Sequence, residues 1–421
     1  MVVPGSGDQF YCQNCERDAA WARALRRAGC EVVWVPMYLP AEWAASAANR
    51  VGRLYFGALR AAAMCALPRW LARRVHAWRW LDHPALLRWV ARWSASVDPG
   101  SGAGLTVAVL RGEEGPWAEE IERLADWLRT EIQPNVVVLG NALLSGLARP
   151  IQRRTGARVI GCLQDEDVWL DAMPIYWREQ ADRAIAAVDS VSIWIALTRS
   201  YAERACRRWQ WDPGKVVILP PALEGTALDR CDPPPVPTLG FYARLTPTRG
   251  LDTVIRAWEI LRQLPGLGEL RLRLGGGATR EDRRWLERRL RGKDRCAIVL
   301  DREYERSRRP GFWREITVLS VPARVETGGG LQILEAMAAG VPVVQPRGGA
   351  FSEWVEQFEG GRLYEPDTPE ALAETLCPIL ADPELRSALG SVGRRRVLEA
   401  CDPDRVAARW WSILQAVRDP A

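Results

Sequence analysis

Short runs of β-branched and apolar residues alternate with amphipathic helical stretches along almost the whole chain, the signature of parallel α/β construction. In the first half the strand candidates are Glu31–Pro36, Thr106–Arg111, Asn135–Leu139, Arg158–Leu163, Ser192–Thr198 and Lys215–Leu219. Between them Arg17–Ala28, Trp117–Arg129 and Ile175–Ala187 read as helices. Only Met1, Val2 and Val3 precede "PGSG", a first strand cut short as a misplaced start codon would leave it. The alternation stops at Leu219–Pro237, which ends in "CDPPPVP". Prolines this close together fit neither a helix nor a central strand, so the segment reads as an interdomain linker. A second series then follows: Thr238–Leu245, Leu270–Leu274, Ala297–Asp301, Ile316–Val321, Val341–Gln345 and Gly361–Tyr364. Helical material at Pro383–Glu399 and Pro403–Val417 closes the chain.

The expected architecture is therefore α/β, with two doubly wound, Rossmann-like domains facing a cleft. The first spans residues 1–225 and the second 226–400, with a helix at 401–421 able to cross back to the first domain. A length of 421 residues suits two or three domains. Ligands of such sheets bind beyond the carboxyl ends of the strands, which puts the expected site in the cleft.

Composition removes several classes. With 48% apolar and 26% charged residues, the chain has the balance of a soluble globular protein. It contains no uncharged apolar run of about eighteen residues, and "MVVPGSG" lacks the basic and apolar regions of a signal peptide. A cytoplasmic location is expected. The net charge of +5 is small, and only Lys215 and Lys293 are lysines, the arginines being interleaved with acids. Neither a zinc-finger pattern nor an aromatic RNA-binding signature occurs, so nucleic acid is not an expected partner. Of ten cysteines only Cys12 and Cys15 are closely spaced, and His76 and His83 lie far from both, so no metal is expected. The stretch "PRWLARRVHAWRWLDHPALLRWVARW" is basic and aromatic at helical spacing. Its tryptophans (Trp70, Trp78, Trp80, Trp89 and Trp93) either pack into the first domain or form a face for peripheral membrane contact.

Three stretches carry anion chemistry. In "VETGGGLQILEAMAAGVPVV", Gly328, Gly329 and Gly330 stand directly before a helix opened by Leu331. A helix N-terminus offers unpaired amides and a positive dipole end, and glycine lets a phosphate approach without a Cβ in the way. Glu335 lies inside that helix's apolar run, where a buried carboxylate is costly unless something charged or hydrogen-bonding meets it. In "GFYARLTPTRGLD", Arg244 closes a strand and Arg249 precedes Gly250, so two guanidiniums stand where they could grip a diphosphate. In "PGSGDQFYCQNCERD", Gly5 and Gly7 sit between the truncated strand and a helix, a backbone cradle that lacks the third glycine of a dinucleotide fingerprint. Cys12 and Cys15 fall near that helix's start, where thiol pKa values tend to be depressed; packing is the plainer role for them.

These residues resemble a known family. "GFYARLTPTRG" is similar to the G-R-L-x-x-x-K-G stretch, and "GLQILEAMAAGVPVV" to the G-L-x-x-L-E-A-M-A-x-G-x-P-V-V stretch, of family-four retaining glycosyltransferases (the group-one glycosyltransferases) with the GT-B fold. "YCQNCERD" and "LGNALLSGLARPI" with "LQDEDVWLDA" resemble a bacterial subgroup. The resemblance covers most of residues 5–41 and 104–420. It implies a nucleotide-sugar donor held by the second domain and an acceptor of unknown kind, with no metal or other cofactor. Glu335 matches the glutamate that meets the ribose hydroxyls, and Arg244 and Arg249 match the pair on the diphosphate, with arginine in place of the usual lysine at 249. Gly5, Gly7, Thr327, Gly328, Gly329, Gly330 and Leu331 fall on donor-binding positions.

Two departures are visible. The family's first glutamate falls on Thr327, while Glu326 lies one residue earlier; the expectation is a remodelled turn that brings Glu326 to the sugar as a catalytic group. The family's N-terminal histidine is absent from the loop Cys162–Asp167, where Gln164 could hydrogen-bond a sugar but not exchange a proton. Two alternatives follow: a catalytically silent homologue that binds nucleotide-sugar as a sensor or partner subunit, and a nucleotide-sugar epimerase.

Overall fold

The structure is a computed structural model that describes residues 1–4, 11–38, 46–51, 60, 78, 81, 83, 99–223, 232–301, 304–323 and 328–418. The chain divides into two compact units. The first comprises Met1–Gly7, Asn14–Pro220 and Val406–Ala421, and the second Asp8–Gln13 and Pro221–Arg405. Among the described residues, no helix is long and apolar enough to cross a membrane.

The first unit is built on a parallel sheet of β1 (Val2–Val3), β2 (Val33–Pro36), β3 (Arg50–Val51), β4 (Val136–Leu139), β5 (Arg158–Cys162), β6 (Ile193–Ala196) and β7 (Val216–Ile218), in the order β3-β2-β1-β4-β5-β6-β7. Short as it is, β1 is an interior strand, with Val2 opposite Val35 on one side and Leu139 on the other. The last helix, Pro403–Arg418, contributes to this unit: its Trp410 meets Trp21 edge to face, with ring centroids 5.5 Å apart. One expected strand is wrong. Thr106–Arg111 falls in a helix, Pro99–Leu110, that buries Ala103, Val107, Val109 and Leu110 and packs on the Ile175–Ala186 helix. The β-branched residues there satisfy a core-facing helix, so packing overrides their strand preference. Of the basic, aromatic stretch only Trp78, Leu81 and His83 are described, and Trp78 is half-buried; the rest lies outside the described residues.

The second unit is a parallel sheet of β8 (Thr238–Tyr242), β9 (Arg271–Gly275), β10 (Ile298–Leu300), β11 (Val318–Leu319), β12 (Val343–Pro346) and β13 (Gly361–Tyr364), in the order β10-β9-β8-β11-β12-β13. Strand order reverses between β8 and β11, where Val318 pairs with Leu239 and Leu319 with Gly240. Crossover helices leave opposite faces of the sheet at such a point, and a crevice opens at the strands' carboxyl ends.

Two close backbone approaches bind the loops there. Gly250, at φ +79°, starts the Leu251–Leu261 helix, and a Cβ on it would lie 1.7 Å from the Pro322 carbonyl oxygen beyond β11. Gly276, at φ +108°, would place a Cβ 2.3 Å from the Ala243 carbonyl oxygen. The amides of Ala243 and Leu245 donate to the carbonyls of Gly275 and Gly277 at 3.2 and 2.9 Å, zipping the loop after β8 to the loop after β9.

Gly250→Ala is expected to be among the most damaging single-methyl changes in this unit. A left-handed backbone costs alanine about 1 kcal/mol, and displacing a carbonyl at contact distance adds to it, for a total of roughly 2–4 kcal/mol. Urea unfolding measures this; a loss under about 0.5 kcal/mol, the range of neutral surface changes, would mean that the two loops part freely.

Candidate active site

Two of the stretches that the sequence marks for anion chemistry, those holding Arg244 with Arg249 and Gly330 with Leu331, follow β8 and β11 at the switch point of the second sheet. Gly330, at φ +100°, caps the Leu331–Ala338 helix, and a Cβ there would press on the Phe351 ring at 2.8 Å. The turn before it is held on two sides. The Trp354 indole N–H donates to the Gly329 carbonyl at 2.8 Å, and the Gly330 amide donates to Gln13 Oε1 at 2.9 Å. Leu331 and Gln332, the next two residues, leave their amides without an acceptor among the described residues, as expected of a helix start.

All eight residues of that helix are buried. Glu335 is only 4% exposed, and the Arg309 guanidinium reaches its Oε1 at 3.6 Å. That is an ion pair rather than a tight hydrogen bond, because the distance exceeds hydrogen-bonding range. Arg309 also stands over the Tyr11 ring at 5.9 Å. Tyr11 in turn packs edge to face on Tyr242, with centroids 5.1 Å apart, and its amide donates to the Gly276 carbonyl at 2.7 Å.

The two expected diphosphate arginines differ in their surroundings. Arg244 donates from Nε to Asp282 Oδ2 at 2.9 Å. Asp282 has two further duties in the capping box of the Arg280–Arg289 helix, where it accepts from the Thr279 hydroxyl at 2.7 Å and amide at 3.2 Å. Arg249 ends a single helical turn, Pro247–Arg249, and its half-buried side chain has no ion pair or hydrogen bond among the described residues. Glu326, Thr327, Gly5 and Gly7 lie outside the described residues.

In the first unit the loops after β4 and β5 form a buried polar network. Arg17 donates to Asp18 Oδ1 at 2.6 Å and to the Leu163 and Gly140 carbonyls at 2.9 and 3.2 Å. Glu166 accepts from the amides of Ala142 and Gln164, both at 2.8 Å, and from the Tyr201 hydroxyl at 2.7 Å. Burial pushes the Glu166 carboxyl above its usual range, with those three donors opposing the shift. Burial likewise raises Asp18, opposed by Arg17, and pushes the Cys162 thiol up to about 12. The Gln164 amide nitrogen donates to the Gly140 carbonyl at 2.6 Å and approaches Asp18 at 3.5 Å, so that end of the side chain is held by its neighbours.

Sequence reasoning missed Gln13, Tyr11, Asp282 and Arg309. The only local signal was the "GGGATRED" run, whose capping box could have pointed to Asp282. Cys12 and Cys15 are half-buried thiols. Among the described residues, no group of three or more His, Cys, Asp or Glu side chains comes together as a metal site requires.

The two doubly wound sheets define a GT-B protein. Over 99% of the chain and 98% of the other, sucrose-phosphate synthase from Thermosynechococcus elongatus superposes with a TM-score of 0.70 at 16% identity. HepE from Anabaena, solved with UDP and glucose, gives 0.68 at 13% identity over the same shares. Residues 236–382 match the family model described as glycosyl transferases group 1. Among sequence relatives, a Mycolicibacterium smegmatis protein named as a GDP-mannose-dependent alpha-(1-6)-phosphatidylinositol monomannoside mannosyltransferase is 28% identical over 306 residues, covering 67% of this chain and 77% of the relative. A D-inositol 3-phosphate glycosyltransferase of Xylanimonas cellulosilytica is 30% identical over 237 residues, 51% of this chain and 54% of the relative.

The arginines are expected to separate on mutation. Arg244→Ala strips Asp282 of one partner and should cost about 1 kcal/mol of stability as well as activity, the scale of a half-exposed pair. Arg249→Ala should leave the melting temperature unchanged and lower turnover at least tenfold, with Arg249→Lys restoring much of it. Melting curves and initial rates for the three variants decide; a turnover equal to the parent's in Arg249→Ala would make this arginine an ordinary surface cation.

Proposed function

We propose that the protein transfers a sugar from a nucleotide-activated donor to a hydroxyl acceptor with retention of configuration, the donor being held by the second unit. The observation that carries this reading is Glu335: a carboxylate 4% exposed, on a wholly buried helix beneath a glycine turn, at the switch point of a sheet. A nucleotide's ribose supplies two hydroxyl donors for such a carboxylate, and the opening amides of the helix suit the adjoining phosphates. When the donor bond breaks, negative charge grows on the departing diphosphate. Arg249 and Arg244 are the cations assigned to it, carried on loops whose backbones are fixed before the reaction. With the phosphate charge assigned to guanidiniums and amides, the reading calls for no metal. The names of the relatives make GDP-mannose the first donor to try and a polyol or glycolipid hydroxyl the first acceptor.

A second reading, a silent homologue that binds nucleotide-sugar without turning it over, draws on Gln164. The loop that carries a histidine in the resembled family carries instead a glutamine committed to its neighbours.

Thermal shift with a panel of nucleotide sugars, followed by nucleoside diphosphate release, tests both. A true donor at ~100 times its dissociation constant adds about 2.7 kcal/mol. Glu335→Gln should remove roughly 1.5–3 kcal/mol of that affinity, since the amide replaces a charged acceptor with a neutral one. Binding without release selects the silent reading. A Glu335→Gln variant that binds the donor as tightly as the parent refutes the ribose assignment.

A further inference from the structure

The helix Arg280–Arg289 and the turn after it have a charge distribution that the donor site does not use. Residues 280–295 hold eight basic and four acidic side chains, a local excess of four in a chain whose whole net charge is +5. The fold sharpens that excess. Asp282 is buried and occupied by Arg244, and Asp294 is paired with Arg262 at 3.0 Å. Of the cations, only Arg289 and Lys293 are drawn away, both to Glu259. Arg280, Arg283, Arg284, Arg288, Arg291 and Arg295 are all exposed, and none has an ion pair among the described residues. Glu281 and Glu287 are the only exposed acids among them on this helix.

Their arrangement is linear. Arg280, Arg284 and Arg288 recur every four residues, with Glu281 and Glu287 interspersed and Arg291 following in the turn, while Asp282, Leu286 and Leu290 face the core. Like charges four apart on a helix repel, so this stripe weakens the free helix and would be relieved by an external anion. A row of cations on a convex helix fits a broad, flat anionic surface better than a single small anion, which needs a converging pocket. Trp285, half-buried beside the stripe, is a side chain suited to the polar boundary of a bilayer. We infer that this helix is a docking face for an anionic lipid bilayer, one that would bring a membrane-borne acceptor to the enzyme. The charge geometry supports this whatever sugar the site takes.

The test is cosedimentation of the full-length protein with vesicles of phosphatidylcholine alone or with phosphatidylglycerol added. Binding is expected only to the anionic vesicles, and it should weaken as salt shortens the screening length below about 8 Å. Each cation near such a surface strengthens binding on the order of fivefold, so Arg280→Glu, Arg284→Glu and Arg288→Glu together should lower it by far more than tenfold. A charge-matched control reverses Arg129, Arg153 and Arg183, three exposed arginines of the first unit, and should bind nearly as the parent does. The triple variant should melt like the parent and keep the parent's thermal shift with nucleotide sugar, which separates loss of docking from loss of fold or donor site. Equal losses in triple variant and control would reduce the effect to net charge and overturn the proposal. So would undiminished binding by the triple variant, failure of the parent to bind anionic vesicles, or stronger retention of the parent by single-stranded polynucleotide than by those vesicles.

Discussion

The second unit depends on one constraint: backbone atoms of three loops must touch at the carboxyl ends of β8, β9 and β11. Gly250 against the Pro322 carbonyl and Gly276 against the Ala243 carbonyl are contacts that no side chain could share. Because the loops are locked through their backbones, Arg244 and Arg249 leave the sheet from fixed points. Pre-positioned charge is useful because holding it in place costs nothing further when a ligand arrives. The glycines therefore act twice, once as turns and once as the rivets of the site.

Glu335 shows what this rigidity permits. A carboxylate buried in an apolar helix carries a desolvation penalty of several kcal/mol, which only a good partner offsets. Arg309 supplies an opposite charge at 3.6 Å, too long for an optimal hydrogen bond. Attraction at that distance offsets part of the burial penalty without the geometry of a direct hydrogen bond. In the proposed reading the same carboxylate accepts hydrogen bonds from a ligand. A direct bidentate pair would have stabilised the fold more and left less for recognition.

Much of this was legible in the sequence because it is local. Strand runs, helix runs and the glycine turn before Leu331 each declare themselves within a dozen residues, and all six expected strands of the second half overlap an observed one. The Thr106–Arg111 error is also local in origin. Alternating valines in that run fit a strand, and only the packing partner, the Ile175–Ala186 helix, shows that they belong to a buried helix. What could not be read was pairing across distance. Asp282 lies 38 residues from Arg244, and Gln13 lies 317 from Gly330. No periodicity or propensity encodes contacts of that span; they follow from topology, and topology is known only once the strands are ordered.

Arginine content illustrates the same limit in another form. The sequence has so many arginines interleaved with acids that none stands out by composition. The structure sorts them by what they face. Arg17 and Arg273 are buried and committed to carboxylates and carbonyls, Arg17 to Asp18 and Arg273 to Asp301 and Glu315. Arg244 is committed through Asp282 to the start of a helix, and Arg249 to nothing among the described residues. The Arg280–Arg289 helix repeats that sorting along its length: its inward acid is matched, and its outward cations are not. A protein gains no stability from unmatched like charges on one helix face. These cations share a unit with Arg249, so among the described residues the unit carries unmatched positive charge both beside the switch point of its sheet and along one helix face.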